Sequence, residues 1–81
     1  GLSKYLAAYW AEQNIRVNTI SPGGVESGQN ETFKQNYSAR IPMNRMAKAH
    51  EMVGALIFLS SDSASYVTGQ NIAIDGGLSA W

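Results

Sequence analysis

The sequence predicts an α/β chain that contributes to a parallel sheet, in the order helix, strand, long loop, helix, strand. Three observations carry this. Apolar residues recur at helical spacing in two separate stretches, and two short β-branched segments each run into a Gly-containing turn. A strand–helix–strand succession of this kind normally closes as a right-handed parallel crossover.

Leu2, Tyr5, Leu6, Tyr9 and Trp10 fall three and four apart, and Ala7, Ala8 and Ala11 favour helix, so residues 1–13 are expected to be helical. Arg16-Val17-Asn18-Thr19-Ile20 reads as a strand that stops at Ser21-Pro22-Gly23-Gly24. From Ser21 to Met46 the chain is polar and longer than ordinary connections, as functional or disordered loops are. Inside it, Asn30 can cap a short helix over Glu31–Ser38. Met52, Val53, Leu56, Ile57 and Leu59 restore the helical period over His50–Ser60. Glu51 complements the dipole in the first turn, and Phe58 widens the apolar face. Asn71–Ile74 reads as the second strand, ended by Asp75-Gly76-Gly77, and Leu78–Trp81 closes the chain.

A sheet of two parallel strands leaves both outer edges unpaired, so this pattern expects a larger sheet around it. With 81 residues the chain is read as part of a single domain, residues 1–81, with residues 21–46 as a loop within it. The opening at Gly1, already inside a helical pattern, is how a fragment would begin.

Composition narrows the function. Six basic and six acidic residues cancel and form no basic stripe, which disfavours nucleic-acid binding. No apolar run reaches the roughly 20 residues that a membrane-spanning helix needs, and no signal-peptide pattern opens the chain. The absence of cysteine removes disulfides, thiolate metal sites and cysteine nucleophiles, and fits a soluble, cytoplasmic setting. The lone His50 beside Glu51 reads as a surface residue, and Asp62 and Asp75 read as turn carboxylates bonded to local backbone. At Pro22-Gly23-Gly24-Val25, proline removes an amide donor and the glycines permit a ligand to approach the backbone closely. A sharp turn without any ligand satisfies the same residues.

Two blocks carry a family resemblance. Ile15-Arg16-Val17-Asn18-Thr19-Ile20-Ser21-Pro22-Gly23-Gly24-Val25 resembles the strand and Pro-Gly turn that follow the active-site helix of short-chain dehydrogenases/reductases. Ser61-Asp62-Ser63-Ala64-Ser65-Tyr66-Val67-Thr68-Gly69-Gln70, running through Ile72-Ala73-Ile74-Asp75-Gly76-Gly77, is similar to that family's closing turn and last strand. The resemblance spans essentially the whole chain and implies the C-terminal portion of a Rossmann-like, doubly wound parallel sheet.

It also implies an oxidoreductase that uses NAD or NADP to interconvert a hydroxyl and a carbonyl. Pro22, Gly23, Gly24, Val25 and Ser27 then bind the cofactor, with backbone near Val25 meeting the nicotinamide carboxamide and Ser27 standing where threonine is more usual. Residues 26–46 become the segment over a small polar substrate, offering Ser27, Gln29, Asn30, Thr32, Gln35, Asn36 and Tyr37. The family's Tyr-x-x-x-Lys pair is missing, because Tyr5, Tyr9, Tyr37 and Tyr66 are followed four positions on by Tyr9, Gln13, Ile41 and Gln70. No residue is therefore assigned to proton transfer, and the chain alone is expected to be inactive.

Smaller departures are Asn44, where glycine is common, and Ala49, where proline often opens the helix. The turn and the ending Asp75–Trp81 are similar to members linked to bacterial surface-sugar or flagellin modification. The family's habits further imply a homodimer or homotetramer. The competing expectation is a non-catalytic interaction module, or pseudoenzyme remnant, that keeps only the oligomer interface.

Overall fold

The computed structural model describes residues 1–80. Helix α1 (Leu2–Trp10) tightens into a 3₁₀ turn over Ala11–Gln13, and Asn14 takes the left-handed conformation that ends it, at φ 61°, its amide bonding back to the Ala11 carbonyl. Asparagine tolerates that conformation because its short polar side chain adds little steric cost. The expected 1–13 helix is thus present, with its last turn in 3₁₀ form.

Strand β1 (Thr19–Pro22) pairs in parallel with β2 (Asn71–Ile74), Thr19 opposite Asn71 and Pro22 opposite Ile74. The second strand matches expectation, whereas the first starts three residues later than expected and includes Pro22. Side chains explain the late start. Asn18 Nδ2 donates to the Val67 carbonyl at 2.9 Å and its Oδ1 accepts from the Gln70 amide at 3.0 Å, while the Val17 amide donates to Thr68 Oγ1. The chain at 16–18 is therefore laced to 67–70 mainly through side chains, with a single backbone bond from the Gly69 amide to the Val17 carbonyl at 2.8 Å in place of a regular ladder. Pro22 fits a ladder because the amides of Thr19 and Gly23 face β2, bonding to Gln70 and Ile74 carbonyls, and alternation turns residue 22 the other way.

Helix α2 (Glu31–Ser38) begins as expected at Asn30, whose Oδ1 accepts from the Phe33 amide at 2.8 Å. Helix α3 (His50–Ser60) also occupies its expected span. Its N-terminus lacks the missing proline's pre-set backbone, and Glu51 takes over by accepting from the Lys48 amide at 2.9 Å, half of a capping box. Between the helices, Asn44 adopts φ 56°, the left-handed conformation that makes glycine common at such a position.

The core is thin: Ala7, Ile41, Met46, Leu59 and Ala64 are its buried apolar residues. The accessible surface of 5913 Å² exceeds the roughly 4,800 Å² expected of a compact chain of this mass. The radius of gyration, 15.4 Å, likewise exceeds the roughly 12 Å of a compact chain. The excess is apolar in part, since Leu2, Tyr5, Tyr9, Leu56 and Ile57 are each more than half exposed. Among the described residues, no helix is long and apolar enough to cross a membrane.

Candidate functional site

The site forms where β1 ends. Gly23 is tied to β2 through its amide on the Ile74 carbonyl at 2.9 Å. The chain then makes an isolated parallel bridge, Val25 opposite Ala47, through the Ala47 amide on the Gly24 carbonyl and the Glu26 amide on the Ala47 carbonyl. In such a bridge the flanking residues 24 and 26 bond to the partner, so Val25 turns its own amide and carbonyl to the opposite side. The expected 21–46 loop is therefore anchored at both ends, with α2 in its middle.

Both turn glycines have an internal reason to lack a side chain. A Cβ on Gly23 would stand 2.9 Å from the Asp75 Cα and Cβ, and one on Gly24 would stand 2.2 Å from Tyr37 Cε1. Tyr37 seats α2 against the turn, and Phe33 stacks on Tyr37 at 6.0 Å between ring centroids. Beneath the turn, Ile41 is buried against Gly76, where a Cβ would meet its Cγ2 at 2.7 Å. A cavity of about 90 Å³ remains there, lined by Gly24, Ile41, Met43, Ala47, Ile74 and Gly76 among others.

Asp75 is structural, as the sequence suggests. Its carboxylate accepts from the Gly77 and Ser79 amides at 3.0 and 3.2 Å, and the Ser79 side chain foremost, with these amides, holds its carboxyl below the usual range. Asp62 opens a 3₁₀ turn with its backbone carbonyl accepting from Ser65, and His50 lies exposed at the start of α3. Lys4 donates to the Gly69 carbonyl at 3.0 Å, and Tyr66 is fully exposed.

The face that Val25 turns away from Ala47 carries a specific arrangement. Gln29 Nε2 donates to the Val25 carbonyl at 3.2 Å and to Ser27 Oγ at 3.2 Å, while Gln29 Oε1 accepts from the Ser27 amide at 2.7 Å. Val25 and Ser27 thus hold a primary carboxamide through two acceptors and one donor. The orientation of that carboxamide is fixed, because a backbone amide can only donate and a carbonyl can only accept. Sequence reasoning counted Gln29 among the polar loop residues and missed this contact. Nothing in residue spacing marks it, since any glutamine two to four residues from a turn could point to water.

Pro22 and Ser27 are exposed, and Gly23, Gly24 and Val25 are half-buried, so the five expected cofactor residues line one continuous turn. A shallow polar cleft lies next to it, lined by Glu26, Lys34, Gln35, Asn44 and Arg45 among others. Glu26 sits there between Lys34 at 3.8 Å and Lys48 at 3.7 Å. Arg45 grips Glu51 with both guanidinium nitrogens at 2.7 and 2.9 Å, which fixes the end of the loop to α3. That bond, the Lys48 amide and the Arg45 charge hold the Glu51 carboxyl at about 2. Glu51 in turn raises the Arg45 guanidinium.

Comparison with known proteins identifies the family and the fold. Residues 1–79 match the family model described as enoyl-(acyl carrier protein) reductase. The ribulose-forming D-arabinitol 2-dehydrogenase of Candida tropicalis is 47% identical over 99% of this chain and 31% of its own length. A solved short chain dehydrogenase from Leptospira borgpetersenii with bound NAD+ aligns with a TM-score of 0.89 and 49% identity, covering 95% of this chain and 30% of that one. A short chain dehydrogenase family protein from Francisella tularensis gives a TM-score of 0.93 at 32% identity, covering 99% of this chain and 39% of that one. The chain spans about a third of the length of the curated relatives it matches.

Proposed function

Because the chain belongs to the short-chain dehydrogenase/reductase family, we propose that it is the C-terminal part of an NAD- or NADP-dependent oxidoreductase. The reaction interconverts a hydroxyl and a carbonyl on a small polar, sugar-like substrate. The observation that carries the proposal is the turn itself, where Val25 and Ser27 present the donor and acceptors that hold a primary carboxamide. A nicotinamide ring bears that same group. Pro22, Gly23 and Gly24 form the floor beside it.

When bound, the dinucleotide supplies or accepts the hydride. The chain's own residues bind and orient. Val25 fixes the carboxamide and hence the ring, Ser27 adds a hydroxyl, and Tyr37, seated on Gly24, keeps α2 and residues 26–46 over the substrate side. Proton transfer belongs to a tyrosine and lysine elsewhere in the parent, since no Tyr-x-x-x-Lys occurs here. The polar cleft at Gln35, Asn44 and Arg45 offers hydrogen-bonding groups suited to hydroxyls.

Substrate class is supported by the names of relatives, among them the D-arabinitol dehydrogenase and an L-xylulose reductase of Ambrosiozyma monospora at 39% identity. Within that class, the Ser-Pro-Gly-Gly-Val turn and the ending Asp75–Trp81 support a narrower reading, a sugar destined for bacterial surface or flagellin modification. The exposed apolar faces of α1 and α3 support a parent that works as a homodimer or homotetramer.

The test is to assay the full-length parent with polyol–ketose pairs, sugars and 3-oxoacyl thioesters, using NAD(H) and NADP(H). Nicotinamide-dependent turnover of a polyol, ketose or sugar is the expected result. Turnover of thioesters alone would overturn the substrate class, and neither turnover nor dinucleotide binding would favour a non-catalytic interaction module.

A further inference from the structure

Resting on the nicotinamide reading of the turn, we propose that the Gln29 side chain is an internal stand-in for the cofactor's carboxamide and is displaced when the dinucleotide binds. Gln29 carries the same functional group on the same protein partners: its nitrogen is on the Val25 carbonyl and Ser27 Oγ, and its oxygen is on the Ser27 amide. Two carboxamides cannot share these groups. The Ser27 amide has one hydrogen, already committed at 2.7 Å, and a cofactor carboxamide posed like that of Gln29 takes the same donor.

The surroundings allow the exchange. Gln29 lies in irregular chain just before α2, and among the described residues its amide bonds to nothing else. The start of α2 is secured separately by the Asn30 cap on the Phe33 amide, so Gln29 can swing out without unwinding the helix. Gly28, at φ 91° with open space around its Cα, supplies a backbone hinge beside it.

Two consequences follow for affinity. In the empty protein, Gln29 keeps the Val25 carbonyl and Ser27 amide satisfied, so the subsite holds its shape. The dinucleotide then competes with a tethered rival, and its apparent affinity falls by the fraction of molecules in which Gln29 is docked. The rival is weak, since its bonds are neutral and largely exposed. Removing it should tighten binding by about 3- to 10-fold.

The experiment uses the full-length parent and isothermal titration with two ligands, the reduced dinucleotide it binds and ADP-ribose, which lacks the nicotinamide. Gln29→Ala should bind the dinucleotide about 3- to 10-fold more tightly and ADP-ribose unchanged. Ser27→Phe, which fills the subsite, should weaken the dinucleotide and leave ADP-ribose unchanged. If Ser27→Phe behaves so but Gln29→Ala is neutral or weaker for the dinucleotide, the stand-in is overturned and the turn reading stands. If Gln29→Ala tightens both ligands equally, the effect lies outside the carboxamide subsite and the stand-in is overturned. If neither variant alters dinucleotide binding, the nicotinamide reading of the turn falls and the stand-in falls with it.

Discussion

Around the Gly23–Val25 turn, backbone groups bond to Ile74, Ala47 and Gln29 and both glycines are covered by neighbouring atoms, whereas the outer faces of α1 and α3 leave Tyr5, Tyr9, Leu56 and Ile57 at 56–63% exposure. Both regions belong to one chain with low charge. The difference is that the turn obtains its partners from within these residues, and the helix faces do not. On the cofactor-binding role proposed above, the turn gains from being ordered before its ligand arrives, since ordering it on binding costs affinity. If the helix faces form an oligomer interface, as proposed above, the requirement is the opposite, because apolar surface of that kind stabilises only what comes to cover it.

The largest expected effect falls on the uncovered region. Replacing Tyr9 and Ile57 together by glutamate puts charges on surfaces that the parent is expected to bury, and burying an unpaired charge is strongly unfavourable. Sedimentation or light scattering should show assembly weakened by about 100-fold or more, two buried side chains contributing roughly 1.5–3 kcal/mol each. Folding of each subunit should persist, because both residues lie outside the core. Unchanged assembly would show that these faces are covered by something other than a second copy.

A smaller effect is expected at the finished turn. Gly23→Val would place a side chain 2.9 Å from the backbone of Asp75, which cannot yield without shifting β2. Overpacking of this kind costs about 1–3 kcal/mol, read as a lower urea midpoint. The outcome matters because the same substitution also weakens cofactor binding on the proposed reading. A variant of unaltered stability with weakened cofactor binding would mean that the glycine serves the ligand more than the sheet.

Legibility from sequence follows the same division. Helix α2, helix α3 and β2 match their expected spans because each is bounded by a local signal: Asn30 before Glu31, Glu51 in a first turn, Asp75-Gly76-Gly77 after Ile74. The start of β1 was not legible, because Asn18 spends its side chain on Val67 and Gln70, partners some fifty residues away. The glycines at 23 and 24 read as room for a ligand to approach the backbone, or as a sharp turn without one. What approaches them, Asp75 and Tyr37, is a fact of tertiary packing. Gln29 was missed for a different reason: its partners are local, but no periodicity or cap preference distinguishes a docked glutamine from a solvated one. Tyr5 and Ile57 were visible as apolar at helical spacing, and that pattern alone does not say whether a core or a partner covers them.

The smallest effect is electrostatic and concerns the clasp that joins the turn region to α3. Arg45 and the Lys48 amide hold the Glu51 carboxyl at about 2, below its ordinary value of 4.5. Between those values the unfolded chain binds more protons than the folded one, so stability rises with pH through this window. The clasp's contribution is therefore complete above pH 4.5 and drains away as pH falls towards 2. Asp75, also held low, drains in the same direction, so acid sensitivity alone does not identify the clasp. Glu51→Gln isolates it, because the amide can still accept from Lys48 but cannot titrate or form the ion pair. Urea midpoints measured at pH 6 and pH 3 should fall further in the wild type than in the variant, and the gap between the two proteins should narrow in acid. Because the pair is partly exposed, added salt should shrink the gap at pH 6 as well. Parallel pH profiles would show that Glu51 acts only as a helix cap, and the loop would then depend on the Val25–Ala47 bridge and Tyr37 to stay in place over the turn.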